Sequence, residues 1–121
     1  MHVRIHCRRS IADKCPSHLL AQLSGYHYGL TRFQIEQVAG TYKKAGVVNK
    51  YPYWLKGDYA LWFDTNRNWC LGPKNVLGKA GSCNYLSSGR LAHCPNGLKW
   101  FKIGRNGRWK EAGNDVKVLG S

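Results

Sequence analysis

The sequence predicts an all-β domain, a small antiparallel β-sandwich or open barrel of about seven to eight short strands with a short amino-terminal appendage. Three observations carry that expectation. Trp62-Phe63 is followed after a polar stretch by Trp69, and Trp100-Phe101 is followed in the same way by Trp109. An aromatic run, a polar turn and a returning aromatic run form the pattern of a β-hairpin. The chain of 121 residues carries five Trp and only one Met, so indole rings, not helical leucine stripes, supply the apolar volume. Turn residues recur at roughly ten-residue spacing, the interval of short strands.

The elements follow in order. Residues 1–32 read as the appendage and 33–121 as the aromatic β-domain. Within the first part, Ser17 to Leu23 predicts a short helix with Leu19, Leu20 and Leu23 on its apolar face, capped by Ser17 and stopped by Gly25. Phe33, Ile35 and Val38 then predict a strand that continues through Gly40-Thr41-Tyr42, with a turn at Lys43 to Gly46. Val47 to Leu55 is a second strand region, which Pro52 places at an edge or bulge. Lys56-Gly57-Asp58 is a turn. Tyr59 to Phe63 and Trp69 to Leu71 are the next two strands, broken by Gly72-Pro73. Ser82 to Leu86 is another, followed by a Ser87-Ser88-Gly89 loop. Leu98 to Ile103 and Arg108 to Glu111 form the second hairpin around Asn106-Gly107, and Val116-Lys117-Val118 closes the domain. A two-residue turn pairs Gly104 with Trp109; a three-residue loop ending at Gly107 shifts the pairing by one.

The five cysteines are Cys7, Cys15, Cys70, Cys83 and Cys94, an odd number without a C-x-x-C pair. Cys83 and Cys94 bracket the serine-rich loop and are the disulfide candidate. Their bond closes a loop of about a dozen residues, worth roughly 3 kcal/mol. Aromatic content, basic charge and this spacing point to an oxidising, extracellular setting. The amino terminus has a positive start but no apolar stretch of signal-peptide type, so the expectation is an extracellular module, with a cytoplasmic chain as the alternative. No apolar run reaches the ~20 residues of a membrane-spanning helix.

Lys and Arg number 19 against 6 Asp and Glu, for a net charge of +13. Anionic partners gain from such an excess through Coulomb attraction and counterion release. The densest segment is Lys99 to Lys110, with Lys99, Lys102, Arg105, Arg108 and Lys110 and no acidic residue. Cations interleaved with Trp100 and Trp109 match the grooves of single-stranded nucleic acid or sugar polymers. The same pattern arises in any amphipathic hairpin whose Trp are core and whose Lys and Arg are solvated. The expected ligand residues are Lys99, Lys102, Arg105, Arg108, Lys110 and Trp109, with Arg67 at the tip of the first hairpin.

Metal and catalytic chemistry are not expected. Asp64 to Asn68 opens like a calcium loop, but Trp69 stands where Gly is needed and Asn75 where the bidentate Glu belongs. Asx-type turn bonding explains the same residues. His6, Cys7, Cys15, His18, His93 and Cys94 have no finger spacing. The six carboxylates form no acid/base pair, and no glycine loop cradles phosphate. The expectation is a chain that is not an enzyme and needs no cofactor.

Gly40-Thr41-Tyr42-Lys43-Lys44, Val48-Asn49-Lys50 with Tyr53-Trp54, Ala60 to Phe63, Trp69 with Leu71-Gly72-Pro73, Leu77-Gly78, Cys94-Pro95, Trp100, Trp109 and Val116 to Val118 form one ordered series. With it, residues 40–119 resemble a small Trp/Gly-rich β-domain of multidomain, mostly uncharacterised eukaryotic proteins. That resemblance implies a compact β-module for binding or scaffolding and carries over no catalytic residue. The functional expectation is a noncatalytic binding module for an anionic polymer or surface: a glycan, a cell-surface component or a microbial envelope. A nucleic-acid-binding protein, or a structural subunit that joins partner proteins in an assembly, is the alternative.

Overall fold

Successive side chains along a strand point to opposite faces, and here both faces are apolar over part of their length. The structure is a computed structural model that describes residues 14–87 and 92–120. Its strands are β1 (His18–Leu23), β2 (Gly40–Val48), β3 (Tyr51–Lys56), β4 (Tyr59–Phe63), β5 (Trp69–Pro73), β6 (Tyr85–Ser87), β7 (Phe101–Ile103), β8 (Trp109–Glu111) and β9 (Val116–Gly120). They form one antiparallel sheet in the order β8-β7-β6-β5-β4-β3-β2-β1-β9. Among the described residues one α-helix, α1 (Arg32–Val38), lies between β1 and β2. β8 and β9 are opposite edges of this sheet, yet only residues 112–115 join them. Five Cα steps reach at most about 18 Å, so the sheet must curl until its edges face each other. The all-β open barrel expected from the sequence is the observed architecture, with nine strands.

The barrel interior is a row of directly opposed pairs. Leu19 faces Tyr42, Trp54 faces Leu61, Leu61 faces Leu71, and Leu71 faces Tyr85. Trp69 and Trp100 join this interior cluster. The outer face of β4 and β5 holds a second cluster of Ala60, Trp62, Cys70 and Cys83, covered by Val48, Tyr53 and Leu77 among others. Trp54, Trp62, Trp69 and Trp100 are fully buried. Three of their indole N–H groups donate to loop carbonyls: Trp54 to Pro16, Trp62 to Lys79 and Trp69 to Ala92, at 2.9, 3.1 and 3.3 Å. Each of these three thus fills core volume and also pins a connection, which satisfies a donor that burial would otherwise strand, whereas the buried Trp100 N–H has no acceptor among the described residues.

Several local expectations are corrected. Residues 18–23 are a strand, not a helix, because Leu19 and Ala21 alternate into the core while the backbone pairs on both sides with β2 and β9. That strand lies inside the sheet, within a segment expected to be an appendage. Residues 32–38 are a helix, not a strand. Thr31 and Gln34 form a reciprocal capping box, Val38 alone is buried, and Phe33 is 67% exposed. Lys43 to Gly46 runs on within β2, with a β-bulge between Lys44 and Gly46, and the turn comes at Asn49-Lys50, both with positive φ as a type I′ hairpin requires. Pro52 pairs with Val47 on β2, whereas pairing of β3 with β4 begins at Trp54, so Pro52 interrupts no ladder on that side.

The disulfide expectation is also corrected. Cys83 bonds Cys70, and Cys94 bonds Cys15. Cys83 belongs to the outer cluster, whereas Cys94 packs against the interior one, so the sheet separates the two thiols expected to pair. Cys7 and residues 88–91 of the serine-rich loop lie outside the described residues. Two disulfides fit an oxidising compartment. Among the described residues no helix is long and apolar enough to cross a membrane.

Candidate functional site

The register that builds the core also drives a lysine into it. Tyr85 on β6 faces Lys102 on β7, and Lys102 faces Lys110 on the edge strand β8. Lys102 therefore continues the interior row and is only 7% exposed. A buried ammonium needs partners. Lys102 Nζ donates to the Tyr26 carbonyl at 2.5 Å and to Asp115 Oδ2 at 2.8 Å. The Asp115 backbone is fixed in turn, since its carbonyl accepts the Ser24 N–H at 3.0 Å. Gly25, at φ +75°, leaves room for the Asp115 carboxylate, which a Cβ there would meet at 2.6 Å. The hydrogen bond from Lys102 holds the Asp115 carboxyl below its ordinary value.

His27 sits beside this pair. Its Nε2 lies 2.7 Å from the Ser24 carbonyl, which can only accept, so Nε2 carries the proton in the neutral ring. Nδ1 then accepts from the Tyr85 hydroxyl at 3.0 Å. Burial, reinforced by the charge of Lys102, lowers the His27 pKa from its ordinary 6.5. Burial pushes the Tyr85 hydroxyl well above the ordinary phenol range. A cavity of about 70 Å³ is lined by His27, Asn84, Tyr85 and Lys102, and the buried Asn84 Oδ1 has no donor among the described residues.

A larger cleft of about 530 Å³ adjoins it, sharing Lys102 and Ile103, and brings together Tyr26, Arg105, Asn106, Lys110 and Asp115. The β7–β8 turn forms one wall. It is the three-residue form: Gly104 N–H donates to Arg108 O at 2.8 Å, Gly107 N–H donates to Gly104 O at 2.9 Å, and Gly107 has φ +78°. Asn106 Oδ1 accepts the Arg108 N–H, stiffening the tip. The Arg105 guanidinium lies over the Tyr26 ring, its carbon 4.6 Å from the ring centre. The β4–β5 turn repeats the same bonds, Asp64 N–H to Asn68 O and Arg67 N–H to Asp64 O, with Arg67 at φ 65° in place of glycine. Asp64 Oδ1 accepts from Asn66 and Asn68 N–H at 2.9 Å, which is the Asx-type bonding expected there. Asp64 also lies close to Cys70 and Cys83, whose sulfurs are bonded to each other.

The expected ligand residues are therefore divided. Arg105 and Lys110 line the cleft and Arg108 stands exposed at its rim turn. Lys102 is buried and neutralised, so it is not the surface cation expected. Lys99 is exposed and lies 3.8 Å from Glu111. Trp109 is 43% exposed. As the neighbour of Lys110 along β8, it points to the opposite face of the sheet. Arg67 is at the other end of the barrel, because three antiparallel steps separate β4 from β7. Sequence reasoning missed Tyr26, His27, Asn84, Tyr85 and Asp115. The one available signal was the Tyr26-His27-Tyr28 run between Gly25 and Gly29, a dense polar-aromatic tripeptide held by two flexible residues. No family model, curated protein or solved structure matches the chain.

Proposed function

We propose that this chain is a noncatalytic binding module for an anionic polymer or surface, engaged through the barrel end around the β7–β8 turn. One observation carries the reading. Arg105, Arg108 and Lys110 stand at one end of the barrel and, among the described residues, none of them lies within ion-pair distance of a carboxylate, while the only acid of the cleft, Asp115, is bonded to Lys102 and feels Lys110 at longer range. The two disulfides support an extracellular life, so the polymer is a glycan or envelope component before it is a nucleic acid. Burial of four of the five Trp leaves no row of indole faces for successive bases to stack on, which weighs against a single-strand platform. The scaffolding role implied by the resemblance is compatible with the same surface.

The test is binding to a sulfated polysaccharide across a salt series. The module reading expects a linear fall of log affinity with log salt, and a slope reduced by roughly one for each contacting cation removed. Arg105→Ala, Arg108→Ala and Lys110→Ala should each flatten that slope, and Arg67→Ala should not. Affinity indifferent to salt, or loss confined to Arg67→Ala, would refute it.

A further inference from the structure

Charge does not distinguish the two ends of the barrel, because Lys50 and Arg67 are exposed at the end opposite Arg105 and Arg108. The exposed aromatic side chains do. Among the described residues they are Tyr26, Tyr28, Phe33 and Trp109, and all of them belong to the β7–β8 end. The Tyr26 ring lies beneath Arg105, and Tyr28 lines the small cavity with Ile103. Phe33 is in the first turn of α1, next to Arg32, which shares a hollow with Tyr26. Trp109 opens β8 directly after the turn. The other exposed large apolar residues, Val47 and Leu119, are aliphatic and stand near the far ends of β2 and β9. Single exposed apolar side chains need no explanation, but aromatics gathered at one end beside Arg32, Arg105, Arg108 and Lys110 mark an interaction surface.

Their placement selects the kind of partner. A polymer strand stacks successive units on ring faces along one path. Here the rings come from three separate segments and do not line one groove. One face of Tyr26 is covered by the Arg105 guanidinium, and Trp109 points to the side of β8 opposite Lys110, away from the cleft. Phe33 is 67% exposed and has no polar atom to offer a hydroxylated chain. A small free anion engages the cations alone and leaves every ring in water. A bilayer surface meets the whole end at once. Tyr and Trp favour the headgroup boundary, Phe gains by leaving water for the acyl region, and Lys and Arg meet the lipid phosphates.

We infer that this barrel end docks peripherally on an anionic lipid bilayer, with Phe33 and Trp109 entering the interface and Arg32, Arg105, Arg108 and Lys110 against the headgroup phosphates. The inference rests on the anionic-surface reading and narrows that surface to lipid. The charge is complementary: Glu36 and Asp58 are the exposed acids of this end among the described residues, and Asp115 is already bonded to Lys102. Each cation brought to an anionic leaflet strengthens binding by roughly fivefold.

The experiment mixes the folded, oxidised chain with vesicles of equimolar phosphatidylcholine and phosphatidylglycerol, with vesicles of phosphatidylcholine alone, and with a sulfated polysaccharide. Co-sedimentation and calorimetry measure affinity, and lipids brominated on the acyl chain report insertion by quenching Trp emission. Trp109 is the reporter, because Trp54, Trp62, Trp69 and Trp100 are fully buried. The expected result is binding to the anionic vesicles and not to the neutral ones, with part of the emission quenched in the parent and none in Trp109→Phe. Phe33→Ser should weaken vesicle binding about fivefold to tenfold and leave the polysaccharide unchanged. Anionic-vesicle binding without quenching, and indifferent to Phe33→Ser, overturns the inference while the anionic-surface reading stands. Polysaccharide binding without vesicle binding, or weakened by Phe33→Ser as much as vesicle binding is, overturns it in favour of a glycan. Equal binding to both kinds of vesicle, or failure of every partner to bind at low salt, overturns both readings. Should Phe33→Ser not fold, the unaltered chain decides: vesicle binding that leaves its emission unquenched overturns the inference.

Discussion

Removing the two disulfides separately should cost very different amounts. Cys15 and Cys94 are 79 residues apart, and Cys70 and Cys83 are 13 apart. A closed loop of about 80 residues removes about 15 cal/mol/K of chain entropy from the unfolded state, or about 4.5 kcal/mol at 25 °C; a loop of about 14 residues gives about 3 kcal/mol. The folded geometry near Cys15 has its own supports, since Lys44 Nζ donates to the Cys15 carbonyl at 2.7 Å and Trp54 Nε1 to the Pro16 carbonyl at 2.9 Å. The cost of losing the longer bridge therefore falls mainly on the unfolded ensemble. The paired variants Cys15→Ala/Cys94→Ala and Cys70→Ala/Cys83→Ala are compared with the parent by urea unfolding. The first should lose about 1.5 kcal/mol more than the second. A larger loss from the second pair would refute the reasoning, and so would a non-reducing peptide map that links Cys83 to Cys94.

Three further outcomes are expected. Lys102→Met leaves Asp115 and the Tyr26 carbonyl without their donor; it should destabilise by about 2–3 kcal/mol, below the 3–5 of a fully buried pair because the Asp115 side chain is 37% exposed and regains water. Thermal or urea unfolding checks this, and a loss under ~0.5 kcal/mol would contradict it. Acid should destabilise in two windows. The lowered His27 pKa means that the unfolded chain takes up a proton first as pH falls below 6.5. The lowered Asp115 pKa adds stability present above its ordinary 3.8 and lost as pH falls through the folded value. His27→Gln should flatten the urea midpoint just below pH 6.5 while leaving the lower window intact; a parent midpoint already flat there would contradict the assignment. Arg67→Gly should stabilise by roughly 0.5–1 kcal/mol, since glycine adopts positive φ without strain, and Gly107→Ala should cost about 1 kcal/mol at the equivalent turn position. Equal and opposite signs in a denaturation pair check the equivalence of the two turns.

The sequence revealed what depends on local chemistry. Tyr59 to Phe63, the turn at Gly57-Asp58 and the Asn106-Gly107 hairpin follow from alternation and turn residues, and all three are present. It concealed what depends on partners distant along the chain. Leu19-Leu20 reads as helix in isolation, and only β2 and β9, arriving from residues 40 and 116 onward, make it a strand. The Phe33–Ile35 alternation suggests a strand, whereas the Thr31–Gln34 capping box starts the helix that forms. The hairpin motif was real but misaligned. Its turns match when Phe63 is set against Ile103, not against Phe101, but the faces do not follow the turns: Trp69 is interior where Trp109 is exposed, and Trp62 belongs to the outer cluster where Lys102 continues the interior row. The binding surface was half found for the same reason. Arg105 and Lys110 follow from the turn, whereas Tyr26 and Asp115 reach it from two other places in the chain.

The position of β1 between β2 and β9 constrains how the molecule is made. An interior strand from the beginning of the chain has to wait for its second neighbour until residue 120 has been synthesised. Until then one flank of His18–Leu23 is an unpaired edge, open to other chains. Pairings of such long sequence separation fold slowly, on the order of milliseconds to seconds. A nascent or carboxy-terminally clipped copy is thus the form most exposed to aggregation, and the last five-residue strand acts as the latch that ends that exposure.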